Sequence, residues 1–273
     1  MTTLNLAAND RTNRSEGLAQ RTRVLCVLFF FSGFPALIYQ LVWQRTLFRI
    51  FGVNMESVTI VVTAFMLGLG FGSLAGGWLS KRRNIPLLPL LAVIETLTGT
   101  FGIISLTIFD QVGALTAGWP LPAIAAVNLG LVLVPTLLMG ATLPLMVAHL
   151  VRRTEGVGSA VGLLYYVNTL GAGAACLLCA VLLFPFLGMR NSISVAVAIN
   201  AAVAVGALVA HWRDRDGFAP TPADVRTSVA SAIPGIALLP LLTVAAAGGF
   251  VSLRSSSSAR FPTPRDRVRL RLP

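Results

Sequence analysis

Two long apolar runs set back to back constrain this chain more than any other feature. The first goes from Leu131 to Val151 and ends at the basic pair Arg152-Arg153. The second goes from Ala160 to Leu187. Each is long enough to cross a hydrocarbon core of about 30 Å as a helix, and the arginines between them mark a cytoplasmic turn. A chain built on such a hairpin cannot be a soluble globule. Composition agrees: 55% of the 273 residues are hydrophobic, 11% are charged, and the mean hydropathy is +0.80. The expected fold is all-α, a polytopic membrane helix bundle of six to seven transmembrane helices. The net charge of +11 would suit nucleic acid. The arginines sit between apolar runs rather than along one face, so no nucleic-acid partner is expected; the partner is the lipid bilayer.

Residues 1–23 are polar, contain Arg11, Arg14, Arg21 and Arg23, and read as a disordered cytoplasmic arm. The first helix starts at Val24. It has no small-residue cleavage site, so it is a retained helix rather than a leader. Tyr39, Gln40, Trp43 and Gln44 close it, where interfacial anchors are expected. The second helix, about 57–79, carries Gly68, Gly72 and Gly76 four residues apart on one face, a small-xxx-small packing seam. Further helices are expected at about 85–109, 122–151, 160–187 and 192–211, giving a membrane domain over 24–211. A polar loop, 212–228, follows. A seventh apolar run, 229–253, contains Pro234 and Pro240.

With the amino terminus inside, the cytoplasmic segments of the six-helix arrangement hold twelve Lys and Arg, against three in the outer loops. The tail, 254–273, reverses that bias if the seventh run spans. It is rich in Arg, Ser and Pro and resembles out-of-frame translation of GC-rich DNA. Glycines on helix two and on helix five (Gly162, Gly171 and Gly173) hint at a three-plus-three inverted repeat, although their spacing differs.

Glu95 is the leading site candidate. A carboxylate at mid-membrane costs about 2.5–3.5 kcal/mol on insertion scales. One reading is a protonated structural Glu hydrogen-bonded to a neighbouring helix; the other is a site for a cation or proton. Asn168, with Thr169, Tyr165 and Tyr166, forms a polar cluster on helix five that Asn128 and Thr142 of helix four could face. Such groups serve as interhelical hydrogen bonds worth roughly 0.6–2 kcal/mol each, or they line a substrate cavity. Gly162 and Gly171 join the helix-two glycines as packing positions. Cys26, Cys176 and Cys179 all lie in apolar runs without ligand spacing, so no metal site is expected.

Several motifs carry a family resemblance: Pro135-Thr-Leu-Leu-Met-Gly-Ala-Thr-Leu-Pro144, Gly162-Leu-Leu-Tyr-Tyr-Val-Asn-Thr-Leu-Gly-Ala172, Phe31-Ser-Gly-Phe-Pro-Ala-Leu-Ile-Tyr-Gln-Leu-Val-Trp-Gln-Arg45 and Ala64-Phe-Met-Leu-Gly-Leu-Gly-Phe-Gly-Ser-Leu-Ala-Gly-Gly77. Together they resemble the membrane domain of bacterial spermidine synthase-like proteins. In that family a membrane domain, distantly similar to half of a major facilitator transporter, precedes a soluble aminopropyltransferase. The resemblance implies a module in the bacterial inner membrane that anchors or feeds an aminopropyltransferase domain or protein, with a polyamine as the cation for Glu95. Helix two ends in Lys81-Arg82-Arg83 as in major facilitator transporters, but Ser80 stands where their motif has Asp. The family's Gly-Gly-Gly-Asp-Gly-like loop is not found, so this stretch is not expected to catalyse aminopropyl transfer alone or to hold a cofactor. Two alternatives stay open: a transporter or half-transporter that dimerises along the Gly68-Gly72-Gly76 face, and a truncated product without activity.

Overall fold

The computed structural model describes residues 2–51, 55–82, 84–151 and 157–215. The turn at Arg152-Arg153, the loop beyond residue 215, the seventh run 229–253 and the tail 254–273 lie outside the described residues. The described residues are helical and contain no strand. The helices are α1 (Thr2–Phe51), α2 (Met55–Ser80), α3 (Leu87–Leu115), α4 (Leu121–Val151), α5 (Val157–Leu178) and α6 (Gly188–Arg215), with a π-helical stretch, Cys179–Leu187, between the last two. In hydrocarbon every backbone N–H and C=O has to be satisfied within the chain, and long apolar segments meet that demand as helices.

Five stretches among the described residues are long and apolar enough to cross a membrane, and the fifth, Gly158–Arg213, is 56 residues long. That is about 84 Å of straight helix, far more than one crossing needs. It is a hairpin. Gly171 lies against Phe30 and Gly206 lies against Leu28, so two points 35 residues apart return to the same level of α1. The reversal falls midway, at Gly188, whose φ of +70° is a conformation that glycine adopts and side chains resist. The wider π turns before it accommodate Pro185, which cannot donate to a helical ladder. The expected turn over 188–191 thus shrinks to a single residue, and the sixth helix starts four residues earlier than expected.

At the other end of the chain, α1 begins at Thr2, where a disordered arm was expected over 1–23. The segment contains Ala, Leu and Arg, good helix formers, and no proline interrupts it before Pro35.

The core has two apolar layers. One contains Leu25 and Phe29 of α1, Leu88 and Leu91 of α3, Met146 of α4, Leu164 of α5 and Ala207 of α6. The other contains Ile38 and Trp43 of α1, Phe65 of α2, Phe109 of α3, Val132 of α4 and Cys179 and Ile193 around the α5–α6 turn. Residue numbers rise from the first layer to the second in α1, α3 and α5, and fall in α4 and α6. Odd and even helices therefore run in opposite directions, as six successive crossings require.

Small residues set the closest approaches. Gly68, Gly72 and Gly76 all face α4: a Cβ on Gly76 would lie 2.7 Å from the Ala141 carbonyl oxygen, and one on Gly72 would lie 3.0 Å from the Gly140 Cα. The Ser73 hydroxyl donates to the Gly140 carbonyl at 3.1 Å across the same seam. The face that sequence offered for dimerisation is therefore already used within the chain. Gly171 packs similarly on α1, whereas Gly162 faces open space and packs on nothing, because it lies off the buried Ala160, Leu164, Val167, Gly171 and Ala175 stripe.

These contacts form an inverted repeat. α2 packs on α4 as α5 packs on α1; α1 packs on α6 as α4 packs on α3; α3 and α6 pack on each other. The two sets of three helices run in opposite senses, which is the inverted-topology arrangement of many transporters. The matching stretches are Leu67-Gly-Leu-Gly-Phe-Gly-Ser73 and Leu170-Gly-Ala-Gly-Ala-Ala-Cys176. Gly68 meets Thr136 where Gly171 meets Phe30, and Gly70 and Gly173 both face open space. Gly162 has no part in the correspondence, which is why counting glycines helix by helix found unequal spacing.

The α2–α4 seam makes a paired prediction. Gly72→Val should force α2 off α4 and lower the midpoint of thermal unfolding in detergent, at a cost of about 1–3 kcal/mol. Gly70→Val, two residues away on the opposite side of α2 in open space, should leave the midpoint nearly unchanged. Fluorescence-detected unfolding of the two purified variants checks both.

Candidate functional site

Between the two apolar layers lies a polar level, and a cavity of about 170 Å³ opens there. α1 brings Ser32 and Gln40 to it, α3 brings Glu95 and Thr98, α4 brings Thr142, α5 brings Asn168 and α6 brings Asn200. Phe65, Leu69, Leu37 and Met139 supply its apolar wall.

Glu95 is 3% exposed. It stands about 12 Å up α3 from the helix start, at the helical rise of 1.5 Å per residue. The Ser32 hydroxyl donates to its Oε1 at 2.5 Å. No Lys, Arg or His lines the cavity among the described residues, so the carboxyl group has no cationic side chain beside it there. Thr98, one turn further along α3, is 4% exposed, and its hydroxyl has no hydrogen-bond partner. Thr142 donates its hydroxyl proton to the Met139 carbonyl at 2.7 Å, which leaves its oxygen free to accept. Asn168 lies against Gly33, where a Cβ would overlap its amide oxygen. Asn200 packs on Gly99, and its Nδ2 donates to the Tyr39 hydroxyl at 3.3 Å. Glu95 of α3 and Asn200 of α6 occupy comparable middle positions in the two halves of the repeat.

Three of the five residues singled out from sequence, Glu95, Thr142 and Asn168, come together in this cavity. Tyr165 does not. It is 60% exposed, about 100° around the helix from buried Leu164. Asn128 is buried, but it lies fourteen residues before Thr142, about 21 Å along α4. Its Nδ2 donates within its own helix to the Ile124 carbonyl at 2.9 Å, and its Oδ1 is unpaired. Sequence reasoning missed Ser32, Thr98 and Asn200. Asn200 carried a signal, being the single amide in the apolar run of α6. Ser32 and Thr98 carried none, since hydroxyls are common in apolar helices and can bond to their own backbone.

Tyr39 and Trp43 correct a further expectation. Both are 0% exposed and belong to the core, not to an interface. Their rings stack at 5.1 Å. The Trp43 indole N–H donates to Ser105 Oγ at 3.0 Å, and the Ser105 hydroxyl donates to the Gly102 carbonyl at 2.8 Å. Gly102 admits the Tyr39 ring: a Cβ there would sit 2.6 Å from its Cε1. Among the described residues no group of three or more His, Cys, Asp or Glu could hold a metal ion.

Fold and cavity together define a bundle of membrane-crossing helices with a buried acid at its centre. The chain is 27% identical over 195 residues to polyamine aminopropyltransferase 1 of Streptomyces coelicolor, a match that covers 71% of this chain and 35% of that protein. The chain thus spans about a third of the length of the curated relative it matches. The similarity supports a distant spermidine synthase-like relationship. No family model and no solved structure matches the chain.

Burial of Trp43 has a measurable consequence. Trp43→Ala should destabilise the purified protein by about 3–5 kcal/mol, the usual cost of emptying a large core site. Trp78, which is 61% exposed, should tolerate alanine with little change. Equal, small effects of the two substitutions would return Trp43 to an anchoring role.

Proposed function

We propose that the chain is the membrane module of a spermidine synthase-like protein, tied to polyamine metabolism by anchoring or feeding an aminopropyltransferase domain or protein. The observation that carries this reading is the distant similarity to a polyamine aminopropyltransferase over most of the described bundle's length in sequence. The fold fits a module of that kind, since its helices are long and apolar enough to cross a membrane. The module sits in a bacterial inner membrane with its amino terminus cytoplasmic. Charge supports that orientation, since Arg21, Arg23, Lys81, Arg82 and Arg213 lie at one end of the bundle, against Arg45, Arg49 and Arg190 at the other. Arg49 is neutralised in part by Asp110, 3.6 Å away in an exposed ion pair.

A transporter or half-transporter of a small cationic solute is the second reading. The cavity at the meeting of two inverted halves favours it. Membrane fractions separate the two. Membranes of cells that make the chain should carry aminopropyltransferase activity, and deletion of its coding stretch should release that activity to the soluble fraction or abolish it. Activity that is soluble and unaltered in both strains would overturn the module reading. Substrate-dependent uptake by the chain alone in proteoliposomes would establish the second.

A further inference from the structure

The cavity at the polar level has a chemical bias that goes beyond either reading. Its wall offers acceptors. The Ser32 proton is already given to Glu95 Oε1, which leaves Oε2 and spare lone pairs on the carboxylate. The Thr142 proton is given to the Met139 carbonyl. The Asn200 Nδ2 is directed to Tyr39. Thr98 Oγ1 is buried, borders the cavity and has no partner, which is costly unless something else occupies the space beside it. Glu95, Thr98, Thr142 and Asn168 all line this one volume, and each carries an oxygen able to accept a hydrogen bond.

We infer that this cavity binds a primary alkylammonium ion, with its –NH3+ group between Glu95, Thr98 and Asn168 and its aliphatic chain against Phe65, Leu69 and Met139. A primary ammonium carries three N–H donors and one positive charge, matching one carboxylate and neutral acceptors around it. A divalent metal does not match, because such an ion takes several oxygen ligands with more than one carboxylate or a water shell. The volume, about 170 Å³, is also more than a bare monovalent ion fills, since a single water needs only roughly 10–15 Å³ on the same measure. A quaternary ammonium lacks N–H donors and calls for an aromatic cage, whereas Phe65 is the single aromatic ring on this wall.

The experiment uses the purified full chain in uncharged maltoside micelles and follows thermal unfolding against ligand concentration. Butylamine and putrescine should raise the midpoint saturably, since a ligand bound to the folded state stabilises it in proportion to the logarithm of its concentration above Kd. Choline at the same ionic strength should not. Glu95→Gln should weaken amine binding about ten- to a hundredfold, the range expected for losing a charged hydrogen-bond partner. Thr98→Val keeps the shape and removes an unsatisfied hydroxyl, so it should fold at least as well as the parent and bind amine severalfold more weakly. If Glu95→Gln does not fold, the Thr98→Val comparison decides the matter. Equal shifts with choline, no saturable shift in the parent, or undiminished amine binding in Thr98→Val or in folded Glu95→Gln would each overturn the inference. Amine binding is read without a transferase present, so its failure leaves the module reading intact, and failure of that reading leaves a measured amine site intact.

Discussion

Helices in hydrocarbon gain nothing from hiding apolar side chains from one another, because lipid is as apolar as leucine. What holds them together is close contact and the few hydrogen bonds that cross between them. This bundle depends on that constraint. Gly68, Gly72 and Gly76 let α2 lie on the backbone of α4, and Gly140 reciprocates from the other side. Gly171 lets α5 lie on α1 at Phe30, and Gly102 receives the hydroxyl end of the Tyr39 ring. Each contact replaces a side chain with backbone, so dispersion contacts become dense where lipid would otherwise intrude.

The same economy explains the polar level. Apolar layers on both sides close tightly around small and aromatic residues, and the groups that need partners collect between them. Ser32 meets Glu95 and Asn200 meets Tyr39 there, while Trp43 meets Ser105 within the second apolar layer. Thr98 is left over, and a cavity stands beside it. In the inverted repeat, the cavity lies where the two halves meet, so the residues lining it come from all six helices. A site of this kind needs neither a sequence motif nor a loop. It needs two similar halves whose centres differ, with Glu95 in one and Asn200 in the other.

How much of this was legible beforehand follows from what a linear pattern can encode. The apolar runs, their number up to residue 211, and the α2 seam were readable, because length, composition and four-residue spacing are local properties. Glu95 was readable because a charge inside an apolar run is conspicuous. Its partner Ser32 was not, since a separation of 63 positions says nothing about proximity. Tyr39 and Trp43 misled because amphipathic rings near the expected end of a helix suit an interface as well as a core. α1 instead continues to Phe51, which puts both rings well inside the bundle.

The sequence by itself determined that the chain is a bundle of apolar helices, since continuous apolar runs of about twenty or more residues satisfy their own backbone in hydrocarbon as helices. It also determined which helix faces could approach closely, because glycine spacing is a property of one helix. Tertiary structure alone decided what those faces touch. The α2 seam meets α4 of the same chain rather than a second copy, as the Cβ-free stripe fits the Thr136–Ala141 backbone. It alone separated Glu95, Thr142 and Asn168 from Asn128 and Tyr165, because helix rotation and depth depend on the packing of all six helices together and are written in no single one of them.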